Sequence, residues 1–289
     1  MALGVAVVTG DGWLLTQTGE LLVRLLLAAG AATALISVVR AGRGRPVVTL
    51  ATAAAVLSLS VGAWIGANSP RVSWFGSLIS HGPRDSRQVA LTFDDGPNAT
   101  ATLAVRDILD AHGVKGSFFL VGQALDTRPD LARALLSDGH LLANHSYRHD
   151  SIHWLDPRYG ELGSTQQAFA RNLGVCPAFF RPPHGQHTPL MAAVVHRHSM
   201  AMVGWDVSVG DWSARSAQRV AQGVLRKARP GSIIDLHDGL DGRVNADRGV
   251  LVRAMPMILD GLARQGLHPV RLDELLGRPG YLPACPVQR

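Results

Sequence analysis

From residue 88 onward, short runs of aliphatic residues alternate with segments that have the periodicity of amphipathic helices. This alternation is typical of βα units, which assemble into a parallel sheet with helices packed on its faces. The first strand ends at Asp94, and the pattern then predicts strands at residues 116–121, 140–143, 178–180, 200–203, 232–236 and 268–271. It predicts helices at residues 100–112, 129–137, 190–198, 216–228 and 250–265. These units suit a barrel or an open doubly wound sheet, and periodicity does not separate the two.

The first strand leads directly into two adjacent carboxylates. An alternating pattern over residues 89–93 runs into Asp94 and Asp95, and Gly96-Pro97 then forces a turn. Loops and chemistry collect at the carboxyl ends of parallel strands, so this is a candidate site. Two neighbouring ionised carboxylates repel each other, which suggests a cation nearby. On its own, the motif is equally compatible with a solvated Asp-Asp-Gly turn.

Two long apolar runs precede this domain, at residues 21–39 and 47–67. Each has about the 20 residues that a membrane-spanning helix requires. The loop between them carries three arginines, which places it on the cytoplasmic side by the positive-inside rule. We therefore predict that residues 1–69 form a membrane anchor of two transmembrane helices, with the rest of the chain extracytoplasmic. A pair of buried soluble helices and a cleavable signal peptide are the alternatives.

The remaining segments and the overall charge complete the domain plan. Residues 70–87 are rich in proline and glycine and are predicted to be a linker, and residues 277–289 are predicted to be a C-terminal tail. The net charge of +6 is small, and we find no basic stripe with interleaved aromatic residues, so nucleic acid is not an expected partner.

Cys176 and Cys285 are the only cysteines in the chain. An extracytoplasmic domain could join them, but two cysteines so far apart in sequence do not establish a disulfide. A reduced, buried Cys176 beside an apolar strand is the alternative.

A histidine pair follows the strand predicted at residues 140–143. The spacing of His145 and His149 presents both imidazoles on one side of a helical turn, so both can reach one metal ion. With a carboxylate from another strand end, they would leave positions open for water and substrate. Since the chain has 12 histidines, this spacing alone is compatible with a chance pair. The acidic pair and the histidine pair both follow strand ends, which favours a metal site shared between them.

Five motifs together resemble the polysaccharide deacetylases, also called NodB-like or carbohydrate esterase family four enzymes. In chain order they are Thr92–Pro97, His145–His149, Arg181–Gly185, Asp211-Trp212 following Trp205, and Leu236-His237. Any single motif is weak evidence, but all five occur in the order of the family. The resemblance implies that residues 88–276 form a catalytic domain with a distorted, incomplete (β/α) barrel.

The resemblance implies a divalent metal held by Asp95, His145 and His149, with Zn²⁺ expected and Co²⁺ or Ni²⁺ as alternatives. It implies that Asp94 is the general base and His237 the general acid that protonates the departing amine.

Two further residues would support this base and acid. Arg181 would orient Asp94 and keep it ionised, and Asp211 would pair with His237 and favour its protonated form. Without the other motifs, Arg181 and Asp211 would be compatible with an ordinary surface ion pair.

The resemblance also implies contacts with the acetyl group. A backbone N–H near His184 would stabilise the oxyanion, and Trp212 and Leu236 would line the pocket for the methyl group. Two positions depart from the family. His184 stands where an aromatic residue is usual, and Asp235 where an apolar residue is usual. On a strand, Asp235 would share a face with His237, and we expect it to raise the pKa of that histidine.

The resemblance implies a metal-dependent hydrolase that removes acetyl groups from N-acetylated sugars of a cell-envelope polysaccharide, and together with the predicted location it makes peptidoglycan the default substrate. An O-acetyl esterase that uses the same site is one alternative. A membrane-tethered glycan-binding relative without catalysis is another. The presence of both Asp94 and His237 argues against the latter, since binding alone needs neither a base nor an acid.

Overall fold

The computed structural model describes residues 46–71, 73, 75–150, 156 and 158–285. Within these, residues 46–69 form one compact unit, and the residues from Pro70 onward form another. The first unit is a single helix, α1 (Pro46–Asn68). Several large apolar side chains of this helix are exposed, including Leu57, Leu59 and Ile65.

Helix α1 covers the second predicted membrane span, residues 47–67, whereas the first span, residues 21–39, lies outside the described residues. In the described part of the chain, no helix combines the length and the apolar character needed to cross a membrane. The two-span anchor therefore stays a prediction from the sequence.

In the second unit, the described residues form one sheet of nine strands in which all neighbouring strands are parallel. The strands are β1 (Leu78–Ile79), β2 (Gln88–Asp94), β3 (Ser117–Leu120), β4 (Leu141–Asn144), β5 (Phe179–Phe180), β6 (Ala201–Val203), β7 (Val207–Ser208), β8 (Ile233–His237) and β9 (His268–Val270). Their order is β1-β6-β5-β4-β3-β2-β8-β7, and β9 pairs with the start of β2. Since β1 and β7 end this order without pairing with each other, the described strands form an open, incomplete barrel.

The helices of this unit alternate with the strands. They are α2 (Thr102–Ala111), α3 (Gly122–Thr127), α4 (Pro129–Ser137), α5 (Gly160–Leu173), α6 (Pro189–Arg197), α7 (Ala217–Lys227), α8 (Gly249–Arg264) and α9 (Leu272–Leu276). Every strand and helix that the periodicity predicted in this domain is present, with ends shifted by at most two residues.

The two faces of the sheet have different roles because successive side chains of a strand point to opposite sides. On β2, Val89, Leu91 and Phe93 lie in a large hydrophobic core that also contains apolar residues of α2, α7 and α8. Thr92 and Asp94 point to the other, inner face. The concave side of the curled sheet therefore carries the polar side chains of β2, and the convex side carries the main core.

Several elements were not predicted. The longest is α5, whose buried face includes Glu161, Thr165 and Gln166, so the apolar periodicity that marks an amphipathic helix is weak. Strand β1 lies in the segment predicted as a linker and pairs with β6, so this part of the segment belongs to the sheet. Strand β7, α3 and α9 are too short to show a period.

The segment predicted as a tail is attached to the domain. Cys285 forms a disulfide with Cys176, with 5.3 Å between the Cα atoms. The Tyr281 hydroxyl accepts a hydrogen bond from the backbone N–H of Leu142 at 3.1 Å. Of the two alternatives for the cysteines, the structure shows the bridged one.

Candidate active site

Strands β2 and β8 place the predicted base and acid side by side. Their register pairs Asp94 with His237, and Thr92 with Asp235. Because the strands are parallel, Asp94 and His237 both stand at carboxyl ends, and all four side chains share the inner face. The backbone positions of the predicted base and the predicted acid are therefore fixed by the hydrogen bonds of the sheet.

The turn after β2 separates the two neighbouring carboxylates. Asp95 has a φ of 73°, in the left-handed region that few non-glycine residues adopt. Gly239 packs directly against the carbonyl of Asp95, where any Cβ would clash, and its N–H donates to Asp94 O at 3.1 Å. The turn thus directs Asp94 toward Arg181 and Asp95 toward the histidines.

Asp95, His145 and His149 form a buried group of metal-ligand atoms that lie within 4.8 Å of one another. Asp95 Oδ1 lies 3.4 Å from His145 Nε2 and 3.1 Å from His149 Nε2. His145 Nδ1 donates to the carbonyl of Arg181 at 2.9 Å, which leaves its Nε2 able to bind a metal. Asp95 Oδ1 accepts no hydrogen bond from the described residues. One carboxylate oxygen and two imidazole nitrogens that converge in this way fit a divalent metal site.

The electrostatics of this group agree with that interpretation. Burial on its own would raise the pKa of Asp95, but the adjacent imidazoles of His149 and His145 and the charge of His237 outweigh it and hold the pKa well below its usual value. The carboxylate is therefore ionised at neutral pH, as a metal ligand must be.

The histidine pair converges by a different route from the one predicted. Residues 145–149 do not form a helical turn but an irregular loop, in which Ser146 and His149 have φ values of 67° and 57°. Ser146 Oγ accepts the N–H of His149 at 3.1 Å, and Glu161 Oε2 accepts the N–H groups of Tyr147 and Arg148. These side-chain acceptors satisfy the backbone groups that a helix would have paired internally.

Arg181 holds the predicted base. Its Nη1 donates to Asp94 Oδ1 at 2.7 Å, to Thr92 Oγ1 at 2.9 Å and to Asp235 Oδ1 at 3.3 Å, and its Nη2 donates to Gly204 O at 3.1 Å. The side chain is fully buried. Arg181 is therefore no surface ion pair, and its charge compensates carboxylates that have been removed from water.

His237 is held from one side by Asp211. The Nδ1 atom lies 3.0 Å from Asp211 Oδ1, and the backbone N–H of His237 donates to Asp211 Oδ2 at 3.0 Å. Arg248 Nη2 donates to the same Oδ2 at 2.7 Å and its Nε to the carbonyl of His237 at 2.8 Å. The ring of Trp212 packs edge-on against His237, with 4.9 Å between centroids. These contacts fix the ring orientation and leave Nε2 available.

His237 is positively charged at neutral pH. Burial would lower its pKa, but the carboxylates of Asp235 and Asp211 outweigh this and raise it to about 10. Burial, together with the charge of Asp94, raises the pKa of Asp235 to about 8. Asp235 lies beside His237, as we expected, because residues two apart on β8 share one face of the sheet.

Leu236 does not lie at the site. Its side chain belongs to the hydrophobic core on the convex face of the sheet and is fully buried there. The reason is the two-residue period of the strand, which places Leu236 on the face opposite to Asp235 and His237. The prediction that Leu236 lines the acetyl pocket is therefore wrong.

His184 lies beside the metal-ligand group. It has a φ of 57° within a tight turn (Pro183–Gly185), and its ring packs edge-on against His149 with 4.6 Å between centroids. Burial, reinforced by the charge of His149, lowers its pKa to about 3, so the ring is neutral. The oxyanion role of its backbone N–H stays a prediction.

Two residues of the site carried no signal in the sequence. Arg248 precedes α8, and Asp241 lies in the loop after β8, where its carboxylate faces His149 Nδ1 at 3.4 Å. Neither belongs to a motif. Their positions depend on the path of the loop between β8 and α8, which periodicity does not describe.

Together these residues provide a buried metal-ligand group, a carboxylate paired with an arginine, and a charged histidine with one free ring nitrogen. This combination suits hydrolysis in which a carboxylate accepts a proton from water and a histidine donates one to the leaving group.

Comparisons with known proteins identify the family of this chain. The polysaccharide deacetylase family matches residues 81–203. A peptidoglycan-N-acetylglucosamine deacetylase of Bacillus cereus is 31% identical over 179 residues, which cover 61% of this chain and 65% of that protein. A chitooligosaccharide deacetylase of Bradyrhizobium sp. is 33% identical over 196 residues, which cover 64% of this chain and 90% of that protein.

A similar solved structure is that of the Bc1960 peptidoglycan N-acetylglucosamine deacetylase. It has a TM-score of 0.65 and 28% sequence identity, over 70% of this chain and 94% of that one. The chain thus spans just under two thirds of the length of the Bacillus cereus relative, and most of the Bradyrhizobium relative and of the solved structure. The chain belongs to the polysaccharide deacetylase family.

Proposed function

We propose that this protein hydrolyses the acetamide group of N-acetylated sugars in a cell-envelope polysaccharide, with one divalent metal ion as cofactor. The observation that carries this proposal is the register of β2 and β8, which places Asp94 and His237 next to each other beside the metal-ligand group. The relatives named above act on peptidoglycan N-acetylglucosamine or on chitooligosaccharides, which supports an N-acetylated glycan as the substrate.

Asp95, His145 and His149 would hold the metal. When bound there, a divalent cation polarises the acetyl carbonyl and makes water a stronger acid. Two imidazoles and one carboxylate are a ligand set that Zn²⁺ uses in catalytic sites, so we expect Zn²⁺, with Co²⁺ or Ni²⁺ as alternatives.

Asp94 is suited to accept the proton from the attacking water. Its Oδ1 is bonded to Arg181, whereas its Oδ2 lies 3.6 Å from His145 Nε2 and so faces the metal-ligand group. Arg181 fixes the orientation of the carboxylate and balances its charge. The free oxygen is therefore the one positioned to take the proton.

His237 is suited to donate a proton to the leaving nitrogen. Its Nδ1 is engaged by Asp211, so the proton on Nε2 is the one available. Water adds to the acetyl carbon, the C–N bond breaks, and the nitrogen leaves as a neutral amine because it receives this proton. The products are acetate and a sugar with a free amino group.

Peptidoglycan is our first choice of polymer, because it is part of the cell envelope and the substrate in the name of the Bacillus cereus relative. An O-acetyl esterase would use the same residues, since His237 could protonate the leaving oxygen of an acetate ester, which then departs as an alcohol. The names of the relatives favour the N-acetyl substrate.

We also propose that the catalytic domain is extracytoplasmic and tethered to the cell membrane. The support is the sequence: two apolar runs flank an arginine-rich loop. Membrane fractionation, with protease added to intact cells and to lysed cells, tests the proposal. Release of the whole chain by a high-salt wash, or protection of the domain in intact cells stripped of their outer layers, would contradict it.

Acetate release tests the proposed activity. Peptidoglycan, N-acetylglucosamine oligomers and acetylated xylan are each incubated with the protein, with a chelator, and with Zn²⁺ or Co²⁺ added back. We expect release from the N-acetylated substrates that stops with chelator and returns with metal. Release only from xylan would favour the esterase. Absence of release from all three after metal is added back would refute the enzymatic proposal and favour a glycan-binding protein.

A further inference from the structure

Asp241 makes two contacts with the metal-ligand group through two different parts of the residue. Its backbone N–H donates to Asp95 Oδ2 at 2.9 Å, and its carboxylate Oδ1 faces His149 Nδ1 at 3.4 Å. Both partners present their other polar atom, Asp95 Oδ1 and His149 Nε2, to each other at 3.1 Å. One residue therefore touches the outer side of two of the three ligands.

The contact with His149 decides which nitrogen of the ring can bind a metal. A carboxylate beside Nδ1 stabilises a proton on that atom, which leaves the lone pair of Nε2 directed toward Asp95 Oδ1. His145 obtains the same tautomer from a different partner, the carbonyl of Arg181. The negative charge of the Asp241 carboxylate, 3.4 Å from Nδ1, also makes the imidazole a stronger electron-pair donor to a metal than a neutral carbonyl would.

The position of Asp241 is held by the loop between β8 and α8. The residue has a φ of 49°, and the next residue, Gly242, also lies in the left-handed region. The N–H of Arg243 donates to Leu240 O at 3.0 Å, which closes the turn, and its guanidinium donates to Asp241 Oδ2 at 3.1 Å. Asn tolerates this backbone conformation as Asp does.

We infer that Asp241 is a positioning residue that holds Asp95 and His149 for metal binding, and that its carboxylate strengthens the affinity of the site for a divalent cation. The inference rests on the metal site of the proposed function and assigns an outer residue that the family motifs do not include. The side chain is 49% exposed, so its removal is not expected to unfold the domain.

The affinity for Zn²⁺, measured by competition with a chromogenic chelator, tests this role. Asp241→Asn removes only the charge of the side chain. The backbone N–H of residue 241 still donates to Asp95, and asparagine also tolerates the positive φ of this turn. We expect the Kd for Zn²⁺ to rise about 10–100-fold, as removal of such outer partners usually does. The visible spectrum of the Co²⁺-loaded protein should change as well, because the donor strength of His149 changes.

Asp247→Asn is the matched control. Asp247 lies in the same loop, but its Oδ1 accepts the N–H of Gly249 at 2.8 Å, at the start of α8. This variant should bind Zn²⁺ as the unmodified protein does, and the thermal stability of all metal-free proteins should agree. If Asp241→Asn binds Zn²⁺ as tightly as the unmodified protein, the inference is refuted while the proposed function stands. If the unmodified protein binds no divalent metal, both fail.

Discussion

Asp235 should set the alkaline limit of the activity. It shares the inner face of β8 with His237, and its Oδ1 contacts Arg181 at 3.3 Å. Two other carboxylates act on His237, namely Asp211, which contacts its Nδ1, and Asp95. Arg248 donates to the other oxygen of the Asp211 carboxylate. Replacing Asp235 with leucine removes one of these carboxylates and introduces an apolar side chain, which is usual at this position in the family.

The expected size of the effect follows from the geometry. The ligand atoms of Asp235, Asp94 and His237 lie within 4.8 Å of one another. At an effective dielectric constant of about 20, two unit charges at that distance interact by about 3.5 kcal/mol, or about 2.5 pKa units. Arg181 offsets part of this charge, so we expect Asp235→Leu to lower the pKa of His237 by about one to two units. Since the pKa of Asp235 is about 8, its carboxylate is ionised in the range near pH 10 where His237 titrates.

The assay is the pH dependence of kcat/KM for acetate release. The acid must be protonated to act, so a lower pKa of His237 moves the alkaline limb of the profile to lower pH. Asp235→Asn should act in the same direction, because it also removes the charge. Asp138→Asn, which removes a partly exposed carboxylate paired with Arg106, should leave the limb in place. An alkaline limb that does not move in either Asp235 variant would show that this carboxylate does not control His237.

Arg181→Met should lower the free energy of unfolding by about 3–5 kcal/mol, because it leaves the buried carboxylate of Asp94 without its cation and Asp235 Oδ1 without its hydrogen-bond donor. Urea denaturation measures this, and a loss below about 1 kcal/mol would contradict it. The paired replacement of Cys176 and Cys285 by serine should cost about 2–4 kcal/mol, because the bridge closes a loop with a sequence separation of 109 residues. Equal stability of the oxidised and the serine proteins would refute that expectation.

The sequence was most informative where a regular element determined the geometry. Strand β2 ends at Asp94 and β8 at His237, and parallel pairing of two such strands brings their ends together. Arg181 follows β5 in the same way. The motifs therefore identified residues that meet in space, although they lie far apart in the chain.

Side-chain direction and loop path were harder to predict. Leu236 is adjacent to His237 in sequence but points into the convex core, whereas Asp235 reaches the site. Asp241 and Arg248 arrive through a loop whose path depends on close packing, such as that of Gly239 against Asp95. No period or spacing encodes such contacts, because they depend on positive φ values and on single hydrogen bonds.

The division of the two adjacent carboxylates into a base and a metal ligand is tested most directly in Asp94→Asn. The measurement is the amount of Zn²⁺ bound per chain together with the rate of acetate release from N-acetylglucosamine oligomers. We expect Asp94→Asn to bind Zn²⁺ like the unmodified protein, and to release acetate about 10²–10⁴-fold more slowly, because Asp95 and both histidines remain while the base is lost. Loss of the metal, or release at the unmodified rate with the metal bound, would contradict the assignment of Asp94 as the base.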